Sequence, residues 1–275
     1  MMLMSKILNI KTILAANIII FAIVEASGSY FMDSGYIHAI AIAYIVLAFI
    51  ALAQRPLEDV FLKRFLSIAP SAALLLFAGS HSIEFVRMKF GFLVLPTDTT
   101  IVNILNLHIA GLLAIVSAAW FVLNAYARSG PRYLPWLLAA VAGGAIVLTL
   151  GLLATGANVS LDPHSPILYG YLLGLVAVLA VGFVALWKLR KILPILKIFV
   201  DYFFIAFLFI AFAVLTVLFH SALQGMLGFP DYQILYISHF ALYLSLSFLF
   251  LTSTRLSSMS PLYKEAEEFM AAETV

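Results

Sequence analysis

Eight runs of roughly twenty apolar residues, at 7–27, 37–54, 65–88, 100–127, 134–155, 166–187, 198–224 and 232–254, constrain this 275-residue chain more than any other feature. A helix rising about 1.5 Å per residue needs about 20 such residues to cross a hydrocarbon core about 30 Å thick. With no water there to satisfy backbone amides, a span must be a helix or part of a closed barrel, and runs this long without strict alternation specify helices. Turn residues punctuate them: Asp33-Ser34-Gly35, Pro96-Thr97-Asp98, Ser129-Gly130-Pro131, Asp162-Pro163 and Gly228-Phe229-Pro230. The expected architecture is an all-α polytopic bundle of eight transmembrane helices.

Composition removes most other classes. Hydrophobic residues make up 64% and charged residues 10%, against about 45–50% and about 25% in soluble domains, and mean hydropathy is +1.12. Little chain remains for a soluble catalytic head. The absence of cysteine rules out disulfides, thiolate metal sites, Cys-ligated iron–sulfur clusters and c-type haem attachment. Every lysine lies at a helix end, which excludes a mid-membrane Schiff base. No Walker motif, G-x-S-x-G or H-E-x-x-H occurs, and the interrupted midplane helices of many secondary transporters are missing. A net charge of +2 gives no reason to expect a nucleic-acid partner.

The charges set the topology instead. With the N-terminus inside, the inner segments carry Lys6, Lys11, Arg55, Lys63, Arg64, Arg128, Arg132, Lys188, Arg190, Lys191, Lys197, Arg255 and Lys264, which are 13 of the 15 basic residues. The outer connections hold only Arg87 and Lys89, alongside Asp33, Asp98, Asp162 and Asp231. The positive-inside rule therefore predicts N-in and C-in, for a multi-pass protein of the cell membrane. The first run has a basic start and ends near Ala26, as a signal peptide would. Retaining it preserves an even four-plus-four arrangement.

That arrangement comes from a recurrence. His81-Ser82 is followed 27 residues after His81 by His108, and His220-Ser221 is followed 19 residues after His220 by His239. Ala110 and Leu113 match Ala241 and Leu244 in the same alignment. A unit of four helices returns the chain to its starting side, so two copies would run parallel about a pseudo-twofold axis along the membrane normal. The implied organisation is a first repeat at 1–130, a second at 131–255 and a short acidic cytoplasmic tail at 256–275. Measured along the helices from the inner basic residues, all four histidines fall near the outer edge of the core or in its outer third. His38 and His164 also lie on the outer side.

Ionisable groups inside a membrane are costly and usually functional, and imidazole is a common ligand of metals and haem iron. Four histidines suit two bis-imidazole b-type haems, paired within hairpins (His81 with His108, His220 with His239) or across the pseudo-twofold (His81 with His220, His108 with His239). Arg87 and Lys89 are placed to meet haem propionates. A second chemistry uses Glu84, one turn after His81, which with His108, Glu25 or Asp33 would form a copper, zinc or iron site at an outward-facing mouth. A third reading gives the histidines only structural hydrogen bonds, in a cofactor-free anchor subunit.

Among lesser features, Gly170-x-x-x-Gly174 permits close helix packing. Tyr30, Tyr36, Tyr133 and Trp187 suit an interfacial belt. Asp201 lies within reach of Lys197.

On His81, His108, His220 and His239 the chain resembles integral-membrane di-haem b-type cytochromes of respiratory complexes, most nearly the archaeal ones that serve an external partner. The resemblance covers the third, fourth, seventh and eighth helices. It implies haem b, one or two, with these four residues as axial ligands. It also implies electron transfer between the quinone pool and an extracytoplasmic redox subunit within a hetero-oligomeric complex.

Overall fold

The computed structural model describes residues 68–90, 97–128, 130–159, 166–192, 197–228 and most of 233–249, with seven helical positions between Thr12 and Ile23. Among these residues the protein is all-helical. The elements are α1 (Ala69–Phe90), α2 (Thr97–Ala127), α3 (Leu134–Thr155), α4 (Pro166–Ile192), α5 (Lys197–Leu218), α6 (His220–Leu227) and α7 (Tyr236–Leu249). The expected span at 37–54 and the tail at 256–275 lie outside the described residues, as do Tyr30, Tyr36, His38 and His164.

Among the described residues, three helices are long and apolar enough to cross a membrane: Thr99–Ala127, Leu134–Thr155 and Tyr169–Ile192. Their outward faces carry Trp136, Val147 and Leu173, each about two-thirds or more exposed. Large exposed apolar side chains on helices of this length and hydropathy are those of membrane-spanning segments. This is a membrane protein.

α2 is the hub. It packs against α1, α3 and α4 and touches α5, and most of its length is buried, including Leu105, Leu112, Val116, Ala119 and Leu123. The core thus runs across residue 130, joining helices on both sides of the expected repeat boundary. At 31 residues α2 is about 46 Å long, which lets its ends stand clear of the hydrocarbon.

Local chemistry sets the ends. Pro135 occupies the first turn of α3, where its missing N–H costs nothing. Gly156 closes α3 in the left-handed conformation, φ 61°, and donates its N–H to the Leu152 carbonyl at 3.0 Å. Side-chain hydroxyls then fasten α2 to α3 at both ends. Ser117 donates to the Pro135 carbonyl at 2.7 Å. Thr99 donates to the Ala157 carbonyl at 3.1 Å and accepts from the Val159 N–H at 2.9 Å.

One expected span is bent. The run 198–224 is continuous in hydropathy, yet it bends at Phe219 (φ −95°, ψ 15°), between α5 and α6, while Phe219 N–H still donates to Leu215 and its carbonyl accepts from Leu223 N–H, at 2.9 and 2.8 Å. The two His-Ser motifs therefore sit in different local settings: His81 lies in mid-helix, and His220 opens a short one. Asp201 pairs with Arg190 at 2.8 Å, so its partner is on α4 and is not the expected Lys197. Trp187 is half-exposed and holds Arg190 and Lys191 over its ring, 5.8 and 5.4 Å from the centroid.

Candidate functional site

His81 and His108 meet. Leu74, Phe77 and His81 follow one another at i, i+3 and i+7 on α1, and this face packs on the stripe of α2 that carries His108 and Gly111. The close approach depends on Gly111, because a Cβ there would lie 2.6 Å from the Phe77 ring. Phe77 is fully buried and its centroid is 5.3 Å from that of His108. The two imidazole centroids are 5.6 Å apart at an interplanar angle of 84°. Both histidines are 5% exposed.

The ring nitrogens of His108 have distinct roles. Nδ1 lies 2.8 Å from the Ile104 carbonyl, which can only accept, so Nδ1 carries the proton and Nε2 of the neutral ring offers its lone pair. A backbone carbonyl on the far nitrogen is the usual way a ligating histidine is oriented. The motif serine does something else: Ser82 donates back to the Ala78 carbonyl at 2.7 Å within its own helix.

Spacing tests what the pair fits. Two imidazoles trans on one iron, each nitrogen about 2 Å away, hold their centroids roughly 6.4 Å apart, whereas two on one tetrahedral ion hold them roughly 5.2 Å apart. The observed 5.6 Å is nearer the second. A porphyrin between these rings would require α1 and α2 to part and Phe77 to turn away. Two imidazoles are donors that a transition metal takes, and their centroid spacing, also that of an ordinary edge-to-face ring pair, falls between the two values.

Among the described residues no cluster of three or more His, Cys, Asp or Glu forms. Glu84 follows His81 by one turn in α1, and Arg87 and Lys89 continue the same helix; their side chains lie outside the described set. His239 is half-buried on α7, beside Ser238, which donates to the Ala213 carbonyl of α5 at 3.0 Å. His220 is placed at the start of α6.

Sequence reasoning passed over a second polar feature. Thr99, Asn103 and Asn106 recur at i, i+4 and i+7 along α2, all buried. Tyr171 of α4 donates its hydroxyl to Asn106 Oδ1. The signal in the sequence is a pair of amides, Asn103 and Asn106, one turn apart in the outer half of the apolar run 100–127. Nearby, among the described residues, Gly170 and Gly174 do not mediate a helix contact: a Cβ at either position would meet nothing within 4 Å. They line a groove instead.

The fold and site thus define a class, an all-helical membrane protein with a buried imidazole pair on one helical hairpin. No known protein family matches the chain, and no characterised protein or solved structure is significantly similar to it.

Proposed function

We propose that this chain is a multi-pass, eight-span subunit that holds a transition metal at His81 and His108 on its outer side. In this reading it passes electrons between the quinone pool and an extracytoplasmic redox partner within a larger complex. The observation that supports it is the buried pair itself, two rings 5.6 Å apart with the His108 tautomer set for ligation. Copper bound there would supply one-electron redox chemistry. Glu84, or a water, would complete the coordination. Zinc in the same position would indicate metal binding or transport without electron transfer. Within this reading the two four-helix repeats, 1–130 and 131–255, place His220 and His239 as a second, non-equivalent site.

The b-type cytochrome is the second reading, favoured by the recurrence of two outer histidines in each half. It keeps His81, His108, His220 and His239 as haem ligands, with Arg87 and Lys89 toward the propionates, and requires the α1–α2 hairpin to open. Elemental analysis of the purified protein, with its dithionite-reduced minus oxidised spectrum, separates the readings. Stoichiometric copper without iron is expected; b-type Soret and alpha bands would establish the cytochrome instead. Metal-free protein in a complex whose activity survives His81→Ala would leave only the cofactor-free anchor.

A further inference from the structure

Between α3 and α4, floored by α2, lies a laterally open groove of about 620 Å³. Its lining is apolar apart from Asn106 and Tyr171, and Gly144, Gly170 and Gly174 leave gaps between the side chains of its walls. Asn106 is 3% exposed. Its Oδ1 accepts from the Tyr171 hydroxyl, which fixes the amide plane, and its Nδ2 has no hydrogen-bond partner. A buried donor without an acceptor is costly, more so where no water reaches it. Asn106 lines the groove, so a ligand that brings an acceptor oxygen against it there would satisfy the amide.

Depth and chemistry narrow the occupant. Asn106 lies seven residues along α2 from Thr99, about 10 Å below the turn that Thr99 fastens. The ester carbonyls of a glycerolipid stay at the membrane interface, above this level. A helix from a second copy brings no free backbone acceptor, because its carbonyls are bonded internally. A flat ring that dissolves in the hydrocarbon and carries carbonyl oxygens meets both requirements, and the gaps at Gly144, Gly170 and Gly174 give it room between apolar side chains, with an apolar tail left among the lipids. We propose that this groove is a quinone-binding site, with a ring carbonyl accepting from Asn106 Nδ2 and Tyr171 holding the amide in place. That the carbonyl compound is a quinone rests on the electron-transfer reading above; that an acceptor belongs here rests on Asn106 itself.

The test is equilibrium binding of a decyl-tailed benzoquinone to the detergent-solubilised full chain, read by tryptophan quenching and by extraction of retained quinone. Asn106→Leu, close in size but without the donor, should weaken binding at least tenfold, and Gly170→Leu, which fills the slot, should abolish it. A decylbenzene without carbonyls should bind wild type no better than Asn106→Leu. Equal quinone binding by wild type and both variants would overturn the assignment. So would a tightly held glycerolipid that the quinone does not displace, or a dimer that Gly170→Leu dissociates. Metal content measured on the same samples keeps the two readings apart. Quinone binding intact in metal-free wild type would sink the electron-transfer reading alone, and metal present with no quinone binding would sink the groove assignment alone.

Discussion

Phe77 and Gly111 decide whether two histidines on neighbouring helices become a pair. The ring of Phe77 fills the notch that Gly111 leaves, and this contact draws α1 onto α2 beside His108. Gly111→Val should therefore cost about 1–3 kcal/mol through overpacking and part the imidazoles, seen as a lower melting temperature in detergent together with lost metal. His108→Ala should abolish metal retention at this site. His81→Gln, which keeps a polar side chain of similar size, should lower metal content with little change in melting temperature, because a ligand is lost but no large void forms. A purely structural pair would give the opposite pattern, with stability falling and metal content unaffected. The sequence marked both histidines and left their pairing open, since within-hairpin and across-axis partners fit the same spacings. Gly111 carried no such mark: a glycine in an apolar helix is one of many until a ring is found against it.

At the scale of elements, α3 is held to α2 by hydroxyls at its two ends, and what lies between them is left open to form the groove. Thr99→Val removes a donor to Ala157 and an acceptor for the Val159 N–H. It should destabilise by about 1–2 kcal/mol, the cost of leaving a partly buried amide unsatisfied, read by thermal unfolding. Helix boundaries were largely legible. The expected 134–155 coincides with α3 (Leu134–Thr155), because Pro135 and Gly156 carry the start and stop in their own backbone chemistry. The expected 198–224 is bent within its length, with helical hydrogen bonds carried through Phe219. The bend at Phe219 leaves hydropathy unchanged, and a bend built from apolar residues is invisible to an apolar count. Gly170 and Gly174 misled for a related reason: small residues leave space whether a helix or a ligand fills it.

For the whole molecule, the charge pattern predicts a topology that a cysteine-free chain makes easy to test. A membrane-impermeant thiol reagent should label Ser160→Cys in intact cells, and Ser129→Cys only after lysis; the reverse order would invert the predicted N-in arrangement. The described core runs through α2 into α3 and α4, so any two-repeat organisation must be interlocked and not two bundles side by side. The sequence by itself determined that this is a helical membrane protein, where most of the described helices begin and end, and which histidines are candidates. Those properties follow from hydropathy, turn chemistry and charge, each carried by residues near one another in the chain. Only the tertiary structure decided that His81 stands against His108, and that Asn106 holds an unpartnered donor in a lipid-facing slot. These depend on the rotation of each helix about its axis and on how closely neighbours approach, which packing at positions such as Gly111 fixes and the apolar pattern of each run leaves undetermined.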